Sequence, residues 1–313
     1  MFYQEAGRAI AFPASSYFHL TFHLLEGIQW CHLKLKRGCF SMFHLSQLIA
    51  MGVSGAVAIL LPVILLIVWR KRTHAPFTAA LCGTLIFAVF ALGLEQVMHY
   101  FVLRSSNFIT QNLWAYVLYG SFAAGIFEET GRLVGFKLIL RKQDRRETGV
   151  MYGIGHGGME AILLVGVNMI TYVVLVLRFG LLSNSTGAGM SAQVQAAMQA
   201  ISASSTGTLL LSGVERIIAV AFHIALSVLV FQAAKRPGKF YLYPVAILLH
   251  AGLDSIAVLY QRGVVPSLLL TEILVGAMTV VVCFFVVRAY RADIPPAPEE
   301  ISQETVEISE QNG

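Results

Sequence analysis

A chain of 313 residues that is 57% hydrophobic, only 12% charged and of mean hydropathy +0.71 is not an ordinary soluble domain, in which about 25% of residues are charged. The formal net charge of +5 is no nucleic-acid footprint, because the basic residues stand in short clusters between apolar runs. Four cysteines, two of them inside apolar runs, make no disulfide framework. The composition predicts an all-α polytopic transmembrane helix bundle in the cell membrane, with lipid as its solvent and no nucleic-acid partner.

In chain order, residues 1–41 come first and show no clear period. They mix His19, His23, Cys31, His32 and Cys39 with scattered aromatics, and Lys34, Lys36 and Arg37 stand just ahead of the first apolar run. They are expected to be an extension outside the membrane domain, with Met42 the preferred start, since MFHLSQ leads into that run uncharged. Seven stretches of about 20 residues or more then follow, the length that crosses a bilayer: 46–69, 77–103, 112–140, 148–178, 208–234, 240–261 and 264–288. Three exceed a minimal span and are expected to tilt, kink or protrude. Between the fourth and fifth, residues 179–207 are uncharged, and SAQVQAAMQAIS is expected to form a short surface helix. The membrane domain is expected to cover 42–291. The tail, 292–313, carries Pro295, Pro296, Pro298 and six acidic residues without Lys or Arg, a composition for disorder.

Charge in the connections orients the bundle. Arg70, Lys71 and Arg72 follow the first span, and Arg141, Lys142, Arg145 and Arg146 the third. Lys235, Arg236 and Lys239 follow the fifth, and Arg288 and Arg291 the seventh. The other connections hold only Arg104, Arg178 and Arg262. By the positive-inside rule the N-terminus is expected outside and the C-terminus in the cytoplasm.

Four spans carry ionisable residues well inside them: Glu128 and Glu129, His156 and Glu160, Glu215 and His223, His250 and Asp254. Such side chains cost roughly 2.5–3.5 kcal/mol each on insertion scales, so they point to function. Counted from the basic end of each span, Glu128, Glu129, His156, His223 and His250 lie about 8–12 residues in, or roughly 12–18 Å. Helices running in alternating directions thus bring five polar groups to one layer.

His156 and Glu160 are four apart, as are His250 and Asp254, so each pair shares a face, and Glu160 and Asp254 are expected to support those imidazoles. Three imidazoles, His156, His223 and His250, converging with carboxylates suit zinc, with a nearby Glu as general base. Gly149, Gly153, Gly157 and Ala161 form a small-residue stripe that lets another helix approach. Arg132 lies one turn beyond Glu128, which favours Glu128 over Glu129 for the catalytic role. Adjacent glutamates point about 100° apart, so the two are not expected to face one point. Glu95 and His99, nearer the outer side, are expected to be structural, and Glu215 and Arg216 to pair locally.

These motifs carry a resemblance. EETGR at 128–132 is similar to the Glu-Glu-x-x-(x)-Arg motif of the CAAX protease and bacteriocin-processing superfamily of intramembrane peptidases. Tyr152 to His156 resembles its aromatic-x-x-x-His motif, and His250 to Asp254 its His-x-x-x-Asn/Asp motif. The layout of FEETGR, GHGGMEAI and HAGLDS over about 46–290 resembles the YhfC family of bacterial membrane peptidases. The resemblance implies hydrolysis of a peptide bond in a membrane-embedded or membrane-proximal substrate. Glu128 would activate water, with Glu129 and Arg132 in the same motif. His156 and His250 would bind a metal or stabilise the oxyanion, and Asp254 would support His250. Zinc and a metal-free Glu/His mechanism both stay open. Two residues separate the Glu pair from Arg132, where many superfamily members have three, which turns Arg132 by about 100°. His223 lies outside these motifs.

Two other readings compete. Buried His and carboxylate chains also serve as relays in proton- or ion-coupled secondary transporters, though no repeated hydropathy pattern pairs two halves here. A catalytically silent scaffold would use the same residues only to hold helices together.

Overall fold

The computed structural model describes residues 44–180 and 199–293. The N-terminal extension, the start at Met42 and the acidic tail beyond Asp293 lie outside the described residues. So does most of the surface helix expected at 191–202, of which the described residues 199–202 are helical.

Among the described residues there is no strand, and seven long helices follow one another. They are α1 (Leu45–Thr73), α2 (Phe77–Ser105), α3 (Leu113–Val134), α4 (Glu147–Ala161, continued through Ile162–Gly166 and Val167–Gly180), α5 (Thr206–Lys235), α6 (Leu242–Gln261) and α7 (Leu268–Ala292). All but α3 are long and apolar enough to cross a membrane. α3 has the length, 22 residues, but carries Glu128, Glu129 and Arg132 in its last third. Exposed Ile64, Phe101, Val280 and Phe285 give the bundle an apolar outer surface of the kind lipid solvates.

Local chemistry sets the helix ends. Asn112, Ser205 and Ser267 cap α3, α5 and α7 by accepting from the backbone N–H of Ala115, Thr208 and Leu270, which satisfies donors that a helix start leaves unpaired. His74 turns α1 off in the left-handed conformation, and Pro76 follows as the N-cap of α2. Three helices then change pitch. Single π-helical stretches occur at Phe90–Glu95 in α2, Gly135–Ile139 after α3 and Ile162–Gly166 in α4. The first ends on Glu95, the second follows Arg132 and the third follows Glu160, and such bulges are frequent at functional sites.

α4 is the central helix, packed against α1, α2 and α5, while α3 runs along α6. Small residues make this possible. A Cβ on Gly157 would come within 2.8 Å of the His223 Cβ on α5, so the expected stripe does face a neighbour, and that neighbour carries His223. Gly125 does the same for α3 against α6, where a Cβ would sit 2.9 Å from Ile247 O and 3.5 Å from the His250 Cβ.

The basic connections meet at one end of the bundle. Arg145 donates to Thr73 O at 2.7 Å, Lys235 to Leu140 O at 2.9 Å, and Arg236 pairs with Asp293 at 2.6 Å. Just inside that end, Phe136, Met151, Tyr152 and Phe231 belong to the main apolar core, each almost fully buried. The polar layer therefore has a packed aromatic floor on its basic side.

Candidate functional site

Above that floor, α3, α4, α5 and α6 bring six ionisable side chains together: Glu128, Glu129, Arg132, His156, His223 and His250. All are buried. The common layer expected from helix counting is thus a set of direct contacts.

Glu128 is the hub. Its Oε2 accepts from His156 Nε2 at 2.9 Å and lies 3.5 Å from Arg132 Nη2, 3.8 Å from His223 Nδ1 and 4.0 Å from His250 Nε2. Glu129 holds Arg132 Nη1 and His250 Nδ1, the latter at 2.6 Å. Arg132 completes the ring by donating from Nη2 to His223 Nδ1 at 2.6 Å. The rings of His156 and His223 lie 5.4 Å apart, and those of His223 and His250 5.5 Å. Phe87 and Phe222 pack edge-on to His156 and His250, while Tyr152 stacks against His156 one turn away.

This geometry corrects three expectations. The two adjacent glutamates do meet at one place, because their flexible side chains approach His250 from different sides and Arg132 reaches both from one turn on. Arg132 binds Glu129 more closely than Glu128. Glu160 does not support His156 from its own helix. It binds His223 Nε2 across the α4–α5 interface, and Arg216 Nη1 at 2.8 Å. The small-residue stripe explains the change, since it brings α5 so close that His223 is nearer to Glu160 than the ring four residues back. Asp254 does stand beside His250, with Oδ2 3.5 Å from Nε2.

Arg216 was expected to pair locally, and it does bind Glu215 through Nε at 2.5 Å. It also holds Glu160, and through it His223. The signal was in the spacing: Arg216 lies two turns before His223 on the same face of α5. Glu95 and His99 pair within α2 at 3.1 Å, and His99 Nδ1 lies 2.7 Å from the Tyr119 hydroxyl.

The donor set that can hold a metal ion is Glu128, His156 and His223, whose ligand atoms all lie within 4.8 Å of one another. It differs from the three-histidine set read from the sequence. Glu128 joins it, and His250 stays outside with Nδ1 committed to Glu129. A tetrahedral zinc with bonds near 2.1 Å needs donors roughly 3.4 Å apart. The separations of 2.9 and 3.8 Å from Glu128 to His156 and His223 bracket that value, so the residues fit. Three protein donors leave a fourth position, the catalytic pattern. Arg132 shares His223 Nδ1, so a cation there and that contact are alternatives.

Two cavities reach this centre. One, of about 290 Å³ between α4, α5, α6 and α7, touches His223, His250, Asp254 and Glu160 and extends past Arg216 to Thr208 and Leu268. The other, of about 250 Å³ between α2, α3, α4 and α6, touches Glu128 and Asp254 and extends past Glu95 and His99 to Tyr116. Both run away from the aromatic floor toward the end opposite the basic connections. Glu160, Leu164, Asp254, Ala257 and Gln261 line both.

Residues 57–275 match the family described as YhfC intramembrane metalloprotease. The chain belongs to the YhfC family. It is also 36% identical over 261 residues to the uncharacterized membrane protein YhfC of Bacillus subtilis (strain 168), across 80% of this chain and 99% of that relative. No solved structure matches it. The family match and the apolar helices together make the chain a multi-pass membrane protein. The span matched to the YhfC family contains every residue of the buried centre, from Glu128 on α3 to His250 on α6.

Proposed function

We propose that this YhfC protein is an intramembrane peptidase that hydrolyses a peptide bond with water activated at Glu128. The observation that carries the reading is the asymmetry of the glutamate pair. Glu128 lines a cavity and keeps 10% of its side chain accessible, whereas Glu129 has none and is consumed by Arg132 and His250. A general base must reach a water, and only Glu128 does.

In this reading Glu128 takes the proton from water as the oxygen attacks the scissile carbonyl, and later passes it to the leaving amine. His250 is held by Glu129 and Asp254 with Nε2 facing Glu128, and hydrogen-bonds the oxyanion as it forms. Arg132 and Glu129 fix the positions of both groups. The Phe136 and Tyr152 floor excludes bulk water from the basic side. Glu128, His156 and His223 would hold zinc, which would lower the pKa of a bound water and stabilise negative charge on oxygen. Glu160 would then orient His223 through its far nitrogen, a common arrangement of carboxylate, histidine and metal. The basic end would face the cytoplasm.

The test uses purified full-length protein in proteoliposomes with a mixture of transmembrane peptides. The wild type is expected to release cleaved peptides and to carry one zinc per chain. His156→Ala and His223→Ala are expected to lose the zinc while remaining folded, and Glu128→Gln, which removes the base and alters one of the three donors, to lose the cleavage and to bind zinc more weakly. Cleavage by a zinc-free wild type would remove the metal from the account. Ion-coupled uptake dependent on the same residues, without cleavage, would replace it with the transporter reading.

A further inference from the structure

The larger cavity has a charged far end that the reaction just described does not use. Glu272, in the second turn of α7, lines it together with Glu215 and Arg216 of α5. Arg216 is already spent, since it binds Glu215 with two nitrogens and Glu160 with the third. Glu272 has no hydrogen bond or ion pair among the described residues, and its Oε2 is buried without a partner. Arg216 is thus taken up by Glu215 and Glu160, the latter also held by His223, which leaves Glu272 as the carboxylate at this end without a cationic partner among the described residues. An uncompensated carboxylate is costly there. A cationic group entering the cavity would remove that cost.

Position ties this end to the reaction. Along α5, Arg216 and His223 are seven residues apart, or roughly 10 Å, and the same cavity touches both. An extended peptide rises about 3.3 Å per residue. A cation at the Arg216 level therefore belongs about three residues from a carbonyl placed at His250 and His223. Between the two, the wall is apolar, with Leu164, Ala219, Phe222, Leu253 and Ala257.

We infer that Glu272 is a specificity-determining residue that binds a cationic group of the substrate, a Lys side chain or a free N-terminal ammonium, at the far end of the cavity from the Glu128 centre. The inference rests on the peptidase reading for the identity of the ligand as a peptide, but its test reads binding.

Three apolar peptides of the same length are compared by fluorescence anisotropy on the full-length protein in detergent. One carries a single Lys and an acetylated N-terminus, one norleucine and a free N-terminus, and one norleucine and an acetylated N-terminus. At least one cationic peptide is expected to bind about tenfold more tightly than the neutral one, as a charge-assisted contact provides. Which of the two does so identifies the source of the ammonium. Glu272→Gln is expected to erase the preference and Glu272→Asp to keep most of it. Glu272→Met gives the same reading should the amide variant not fold. Equal binding of all three peptides by the wild type overturns the inference, as does a preference that survives loss of the carboxylate. The series is repeated on Glu128→Gln. A charge preference there, with no cleavage by the wild type, would keep Glu272 as a cation site and discard the peptidase reading.

Discussion

Two pairs in this bundle look alike on paper. Glu95 with His99, and His156 with Glu160, each place an imidazole and a carboxylate four residues apart in an apolar helix. In the first pair the partners bind each other, at 3.1 Å, and among the described residues the ring's other hydrogen-bond partner is the Tyr119 hydroxyl. In the second they part. His156 goes to Glu128 on α3 and Glu160 to His223 on α5. A pair closed within its own helix consumes its own polarity, whereas one that opens across interfaces links helices into a centre. The difference lies in what surrounds the helix. α4 is clasped on several sides through glycines, so α5 carries His223 against Glu160, while the neighbour that reaches His99 is the Tyr119 hydroxyl of α3.

Substitutions can break that comparison. The largest contrast is expected between Glu128→Gln and Glu95→Gln: peptide release falls by at least about 100-fold in the first, the usual contribution of a general base, and is largely kept in the second. Equal losses would make the Glu95 pair part of the centre. Next comes folding. Glu129→Ala strips the closest carboxylate from a fully buried Arg132 and is expected to cost about 3–5 kcal/mol in detergent denaturation. His99→Ala is expected to cost only about 0.6 kcal/mol, typical of a polar contact in a membrane bundle. The finest contrast is in metal affinity. Glu160→Gln, which changes the group bound to the far nitrogen of the donor His223, is expected to weaken zinc binding about 10–100-fold. Zinc affinity unchanged by Glu160→Gln would show that the contact across the α4–α5 interface does not serve a metal.

Much of this was legible in the sequence. Composition led to a helical membrane bundle, and the depth of Glu128, Glu129, His156, His223 and His250 led to one layer. Both follow from quantities a sequence carries directly, namely hydropathy and a fixed rise per residue. Partner choice was not legible, because it depends on rotation and on which helix approaches closest. Counting along α4 pairs Glu160 with His156, and only the α4–α5 contact at Gly157 shows that His223 is nearer. The same holds for Arg132, whose preference for Glu129 depends on side-chain reach. Glu272 was visible as a carboxylate in an apolar span, but without its cavity it gave no reason to be singled out.

The central claim is that the Glu128 centre hydrolyses peptide bonds. Mass spectrometry of peptides released from proteoliposomes in ¹⁸O-labelled water tests it most directly. The account predicts that the wild type yields fragments whose new carboxyl terminus carries the heavy oxygen, and that Glu128→Gln yields none. Labelled fragments in equal amount from both proteins, or none from either across the peptide mixture, would contradict it.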